Sequence, residues 1–355
     1  SIQLNSAKLS INDSSTWPDY AKIDPEFEAI IRAAGGSLPK PPPGLTIQQM
    51  RQGMLDAVAK QAAAGPPPDY TGLKKSTIEI PVRDGSKIRA LLYQPEQTPA
   101  DGAPLVILLH PGGFAMGAPE MEEPLALELV KGHSAVVLTP SYRLAPEFPF
   151  PVGLEDAYDA VEWAASHASI LNATPEKGFI VGGESAGGNL GAVISHQARD
   201  NNLSPPLTGI WLNSPAVIAP SALPEKYRDE YTSYEQNANG PLFSAAEGAA
   251  LIESALKRVI ELYAPIPEDP RFSPLLWPTG HKGLPRLVIQ AAGLDLIRDD
   301  ALIYERELRE KGVQTRIHVY PGVTHAFDGM FPQLGVASTF RKDRAAGFAW
   351  LLQGN

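Results

Sequence analysis

The stretch Phe179-Ile180-Val181-Gly182-Gly183-Glu184-Ser185-Ala186-Gly187-Gly188-Asn189-Leu190 reads as a buried strand, a tight turn and the start of a helix. Residues 179–181 form a short apolar run that ends in glycine, the pattern of a strand covered on both faces. Beyond the turn, apolar residues at 186, 190, 193 and 194 follow helical spacing. A serine on so sharp a strand-to-helix turn projects its hydroxyl from the strand end, where it can attack a substrate. Gly183 and Gly187 suit the turn because its neighbours approach closely. The N–H of Ala186 and the helix N-terminus both favour negative charge at that point.

Further strand-like runs lie on either side of this segment. Apolar stretches bounded by glycine or proline recur at 105–109, 135–138, 210–212 and 287–289, and 315–320 is also strand-like. Helical patterns at 154–165 and 189–199 separate several of them, and residues 77–82 and 88–93 flank Arg83-Asp84-Gly85-Ser86 as a hairpin. Alternating strand and helix predict an α/β fold with a mostly parallel sheet flanked by helices.

Two partners for Ser185 follow in the chain. Asp295 stands just after the run 287–289, and His325 stands after the strand 315–320 and the turn Pro321-Gly322. A loop histidine there can accept the serine proton, and an aspartate can hold the imidazole tautomer and stabilise its charged form. The order Ser, Asp, His helps to identify the scaffold, because other folds carry the same residues in other orders. Asp299 and Asp300 rival Asp295 by residue type, but they begin a helical stretch at 301–311 and are expected to cap it. His133, His167, His196 and His281 read as surface histidines, and His318 as a packing residue within a strand.

Upstream, His110-Pro111-Gly112-Gly113 follows the strand 105–109. Consecutive glycines let two backbone N–H groups face one point, and each such donor is worth a few kcal/mol to a developing oxyanion. Pro111 has no N–H to give, so the expected donors are Gly112, Gly113 and Ala186, with His110 bracing the loop.

Composition narrows the function classes. The 355 residues are 43% hydrophobic and 20% charged, ordinary for a soluble globular protein, and the formal net charge of −10 disfavours nucleic acid as a partner. No run of eighteen apolar residues is present, so no stable membrane insertion is expected. The absence of cysteine rules out disulfides and thiolate metal sites and fits a cytoplasmic enzyme. Because numbering begins at Ser1, a removed N-terminal segment leaves secretion open.

Residues 1–75 are rich in proline and alanine. A short helix over 25–34 and a second one behind Thr46, with apolar residues at 47, 50, 54, 55 and 58, read as one part of a helical cap. Residues 216–270 interrupt the strand–helix alternation and include a helical stretch at 247–263, which reads as the other part. The expected division is cap over 1–75, core over 76–215, cap over 216–270 and core over 271–355.

Five ordered segments resemble the hormone-sensitive-lipase family of α/β-hydrolase carboxylesterases. They are His110-Pro111-Gly112-Gly113-Phe114; Tyr142-Arg143-Leu144-Ala145-Pro146-Glu147; Gly183 through Leu190; Asp295-Leu296-Ile297-Arg298-Asp299-Asp300; and Tyr320-Pro321-Gly322-Val323-Thr324-His325-Ala326-Phe327. The resemblance spans roughly residues 75–355. It implies the α/β-hydrolase fold with a helical cap, Ser185 as nucleophile, Asp295 as acid, His325 as base, and an oxyanion hole from Gly112, Gly113 and Ala186. Two positions depart from the family pattern: Pro111 replaces a glycine that is not a donor, and Glu184 replaces an aspartate.

The expected activity is hydrolysis of small-molecule carboxylic esters through an acyl-enzyme, with no metal or organic cofactor. Phe114 and Phe327, beside the oxyanion glycines and the histidine, are candidate substrate contacts. A cap rich in Ala, Met and Tyr suits small or medium acyl groups. A specialised lactone or natural-product ester hydrolase uses the same groups, whereas a non-catalytic small-molecule receptor usually lacks a triad member and here all three are present. A homo-oligomer is compatible with the sequence, which leaves the oligomeric state open.

Overall fold

The computed structural model describes residues 9–36, 42–238, 258 and 260–354. Eight strands form one sheet: β1 (Leu73–Pro81), β2 (Lys87–Pro95), β3 (Leu105–Leu109), β4 (Val136–Pro140), β5 (Phe179–Glu184), β6 (Gly209–Asn213), β7 (Arg286–Ala292) and β8 (Thr315–Tyr320). Their order across the sheet is β1-β2-β4-β3-β5-β6-β7-β8. β2 runs antiparallel to both β1 and β4, and every pairing from β4 through β8 is parallel. This is the mostly parallel sheet that the alternating pattern predicts, in the α/β-hydrolase arrangement that the family resemblance implies.

The apolar runs are continuous because both sheet faces are covered. Along β3, Leu105, Ile107 and Leu109 belong to one core and Val106 and Leu108 to another. The first core joins them to α4 (Val152–Ser166) and α5 (Ala186–Asp200), through residues such as Leu154, Val161, Leu190 and Val193. The second joins them to α3 (Glu123–His133) and the C-terminal helix (Gly335–Leu351), through Leu125, Leu129, Phe340 and Phe348. Side chains alternate across a strand, so a strand between two helical layers needs an apolar residue at every position.

At the N-terminal end, α1 (Pro25–Ala33) starts where the Asp24 carboxylate accepts the Phe27 N–H at 3.0 Å. It buries Phe27 and Ile31 in the second core. α2 (Ile47–Ala64) opens on a capping box: Thr46 Oγ1 accepts the Gln49 N–H, and Gln49 Oε1 accepts the Thr46 N–H. None of its residues is fully buried. Arg51 ties it down by donating to Ala115 O (2.7 Å) and Ala145 O (2.8 Å) and by a bidentate pair with Glu147. The expected helix over 247–263 falls mostly outside the described residues; 260–263 are helical.

Two expectations are corrected. α6 (Ser233–Ala238) lies between β6 and β7, and α7 (Arg298–Glu310) follows β7. Asp299 and Asp300 sit in the first turn of α7 but do not cap it; both are fully buried and face the chain around residues 217–233. A buried carboxylate needs donors, and backbone amides elsewhere supply them. His196 and His281 are not surface residues either: both are buried, with His196 Nε2 2.9 Å from His281 Nδ1. Among the described residues, no helix is long and apolar enough to cross a membrane.

Candidate active site

The parallel strands deliver every candidate residue to one edge of the sheet. Register pairs Leu109 with Gly183 and Ala292 with Tyr320, so the segments after β3, β5, β7 and β8 leave side by side at the carboxyl ends of their strands.

After β5 the chain turns through Ser185 at φ 55°, ψ −112°, a left-handed conformation that costs a residue with a Cβ about 1–3 kcal/mol. Its N–H donates to Asn213 O at 2.8 Å and its carbonyl accepts the Asn189 N–H at 3.0 Å. The flanking glycines are required by space. A Cβ on Gly183 would stand 2.1 Å from Gly187 O, and one on Gly187 would stand 2.1 Å from Leu109 O. Asn189, one turn into α5, donates to Ala216 O and Phe272 O and braces the base of the elbow.

Ser185, His325 and Asp295 come together. The Ser185 hydroxyl lies 2.8 Å from His325 Nε2, and His325 Nδ1 lies 2.5 Å from Asp295 Oδ2. The other carboxylate oxygen of Asp295 accepts the Ile297 N–H at 3.1 Å, which fixes the plane of the group. Asp295 is buried, while the His325 side chain keeps 35% of its surface open. Enclosure opposes charge on His325, but the Asp295 carboxylate outweighs it, with Asp328 and Glu184 adding to the effect. The imidazole is held above the ordinary histidine range as a result.

The loop after β3 is bent by three successive residues at positive φ: Gly112 (135°), Gly113 (61°) and Phe114 (65°). A Cβ on Gly112 would lie 2.0 Å from Met116 O. His110 is buried beneath this loop, stacked on Tyr142 at 4.3 Å, with Nδ1 2.7 Å from Pro111 O. Tyr142 in turn donates to His110 O at 2.7 Å. Burial pushes the His110 imidazole down to about 4, so it is neutral at pH 7 and acts as a brace. Among the described residues, the N–H groups of Gly112, Gly113 and Ala186 donate to no protein acceptor.

Both aromatic candidates are buried. Phe114, 5% exposed, belongs to the first core and stacks face to face on Tyr263, with ring centroids 3.9 Å apart. Phe327 is taken up by the core: it is 2% exposed and packs against Tyr320 and Phe340. It opens a short helix, α8 (Phe327–Met330), that buries this ring and leaves Met330 at the surface.

A carboxylate group behind the elbow escaped the sequence reading. Asn213 Nδ2 lies 3.1 Å from Glu184 Oε1 and 3.4 Å from Asp328 Oδ1, and Glu122 is buried beside them. Burial, then the neighbouring Glu184, raises Glu122 well above the usual carboxyl range; the same two causes push Asp328 up to about 6. No periodicity or motif brings 122, 184 and 328 together. Among the described residues, no three His, Asp or Glu side chains are grouped to hold a metal ion.

The chain is similar to known proteins along most of its length. A sequence profile described as alpha/beta hydrolase fold matches residues 106–329. An AB hydrolase superfamily protein of Schizosaccharomyces pombe is 36% identical over 350 residues, covering 98% of this chain and 97% of its own. The ethyl acetate hydrolase of Pseudomonas putida is 30% identical over 316 residues, covering 86% of this chain and 92% of its own. Among solved structures, vibralactone cyclase superposes with a TM-score of 0.84 at 33% identity, over 94% of this chain and 96% of that one. With matching profile, strand order and relatives along nearly its whole length, the chain belongs to the hormone-sensitive-lipase-like family of α/β hydrolases.

Proposed function

We propose that this protein is a carboxylic-ester hydrolase working through an acyl-enzyme on Ser185. The observation that carries the reading is the continuous relay from Ser185 Oγ through His325 to Asp295, at 2.8 and 2.5 Å. His325 accepts the hydroxyl proton as Ser185 attacks the ester carbonyl, and Asp295 stabilises the imidazolium that forms. The unpaired amides of Gly112, Gly113 and Ala186 receive the oxyanion. His325 then protonates the departing alcohol, and water repeats the sequence on the acyl-enzyme.

In our reading the described residues before β1 and within 216–270 form the cap over this site; Leu73, Lys74 and Lys75, expected in the cap, belong to β1. Two contacts support it: Arg51 grips the oxyanion loop at Ala115 O, and Arg258 donates to Leu45 O across the two segments. In this reading Phe114, 5% exposed beside the oxyanion glycines and stacked on Tyr263 of the second segment, meets substrate only with the edge it leaves uncovered. Small-molecule esters with small or medium acyl groups are the substrate class, in keeping with the ethyl acetate hydrolase among the relatives.

A second reading is favoured by the fit to vibralactone cyclase: the same relay serving one lactone or natural-product ester, with little generic turnover. Hydrolysis of p-nitrophenyl esters from acetate to decanoate, wild type beside Ser185→Ala, tests both. Turnover that peaks at short chains and vanishes in the variant is the expected result. Turnover surviving Ser185→Ala overturns the nucleophile assignment. A folded wild type that is inert to these esters, yet labelled at Ser185 by a fluorophosphonate, points to the specialised enzyme.

A further inference from the structure

The loop that presents Asp295 is held from behind by residues 56 to 65 positions earlier in the chain. Asn237 Nδ2 donates to Asp295 O at 2.7 Å and lies 3.3 Å from Gly293 O. Ser233 Oγ donates to Leu296 O at 2.7 Å. Both donors come from α6, which is itself anchored: the Asp299 carboxylate accepts the N–H groups of Thr232 and Ser233, each at 2.9 Å. Arg298, wholly buried, completes the circuit by donating to Gly293 O (3.0 Å) and Gln236 Oε1 (3.1 Å).

We propose that Asn237 is a positioning residue for the triad, fixing the Asp295 peptide so that the carboxylate meets His325 Nδ1. The inference rests on the reading of Ser185, His325 and Asp295 as the reacting relay. Of the α6 side chains, Asn237 is the one that bonds the peptide of Asp295 itself. It is buried, so water cannot readily replace its amide. Its Oδ1 has no hydrogen-bond partner among the described residues, which leaves donation as the bonding role of the side chain. The anchors that hold α6, at Asp299 and Ser233, do not involve Asn237, so removing its amide loosens the acid loop and leaves the helix attached. One consequence is that the segment between β6 and β7 is tied directly to the acid of the relay.

The test is steady-state kinetics on p-nitrophenyl butyrate for wild type, Asn237→Leu, Asn237→Gln, Asp295→Asn, the double variant Asn237→Leu/Asp295→Asn, and Ser185→Ala. Leucine keeps the number and branching of asparagine's side-chain heavy atoms, with bulkier methyl ends, and has no donor; Asn237→Ala, run beside it, separates the lost donor from the added bulk. The expected result is a kcat about ten- to a hundredfold lower in Asn237→Leu with KM within about twofold, because a small misplacement of a reacting group acts on the chemical step. Asn237→Gln recovers part of the loss, and the acid limb of the pH profile moves down in Asn237→Leu. In the Asp295→Asn background the same substitution costs less than about twofold, since coupled residues do not add. A kcat within twofold of wild type, or a loss that multiplies in full onto Asp295→Asn, overturns the positioning role. If Asn237→Leu gives no soluble protein, Asn237→Ala is judged by the same two criteria. Turnover that survives Ser185→Ala removes the relay reading and this inference together. Loss in Ser185→Ala with an unchanged Asn237→Leu removes the positioning role alone.

Discussion

Asp300 and Val217, 83 residues apart in the chain, meet at 2.8 Å, the carboxylate accepting the backbone N–H. The same oxygen lies 3.3 Å from the Ile218 amide, and Tyr231 donates its hydroxyl to the other oxygen. Each buried donor left unpaired costs about 1–3 kcal/mol. Asp300→Ala is therefore expected to lose about 3 kcal/mol or more of stability, and Asp300→Asn, which keeps one acceptor, about 1–2 kcal/mol. Urea unfolding followed by circular dichroism measures both; an alanine variant within 1 kcal/mol of wild type, which we expect not to see, contradicts the network's weight.

The relay sets the direction of the pH response. His325 is held above the ordinary histidine value, and only its neutral form can take the Ser185 proton. Activity is therefore lost as pH falls through a value above 6.5. Asp295→Asn removes the charge that stabilises the imidazolium, so the acid limb of kcat/KM moves to lower pH while kcat drops by about 10⁴. A pH–rate profile with an unmoved acid limb argues against this pairing.

Asp328 and Glu184 add negative potential at His325. Asp328→Asn keeps the shape and discards the charge. Its acid limb should shift in the same direction as that of Asp295→Asn, by less, with kcat at the plateau near wild type. A shift toward higher pH would show that Asp328 acts on His325 in some way other than through its charge.

Gly187 gives a steric prediction. Its Cβ would fall 2.1 Å from Leu109 O, a backbone atom with nowhere to go. Gly187→Ala is expected to abolish soluble expression or cost more than about 4 kcal/mol. Gly191→Ala is the control: its Cβ would sit 3.2 Å from the Leu212 Cδ2 methyl, which can give way, and the cost should be about 1 kcal/mol or less.

The His196–His281 pair makes stability depend on acid. Burial holds His196 down to about 3 and lowers His281 as well, so the folded protein binds fewer protons than the unfolded chain below pH 6.5. Stability is thus retained above pH 6.5 and falls from there toward pH 3, with a slope of up to about 1.4 kcal/mol per pH unit for each histidine. Melting temperatures between pH 7.5 and 4.5 should fall less steeply in His196→Leu/His281→Leu than in wild type. Parallel slopes would place the acid sensitivity elsewhere.

By itself, the sequence determined the strands, the elbow and the order Ser185, Asp295, His325, because each depends on local rules. Strands buried on both faces read as unbroken apolar runs, and a sharp strand-to-helix turn calls for glycine at 183 and 187. Tertiary structure alone decided which carboxylates are buried and what they bind. Asp299 and Asp300 have the residue type and position of helix caps, yet they turn inward because amides from residues 217–233 arrive there and satisfy them. His196 and His281 hide in the same way, 85 residues apart, through a hydrogen bond that no spacing announces. Phe327 adjoins the histidine in sequence, but the ring goes to Tyr320 and Phe340 because the core buries it more fully than the site would. Buried polar groups are settled by whichever distant partner the fold supplies, and Asn237 against the peptide of Asp295 is this protein's clearest case.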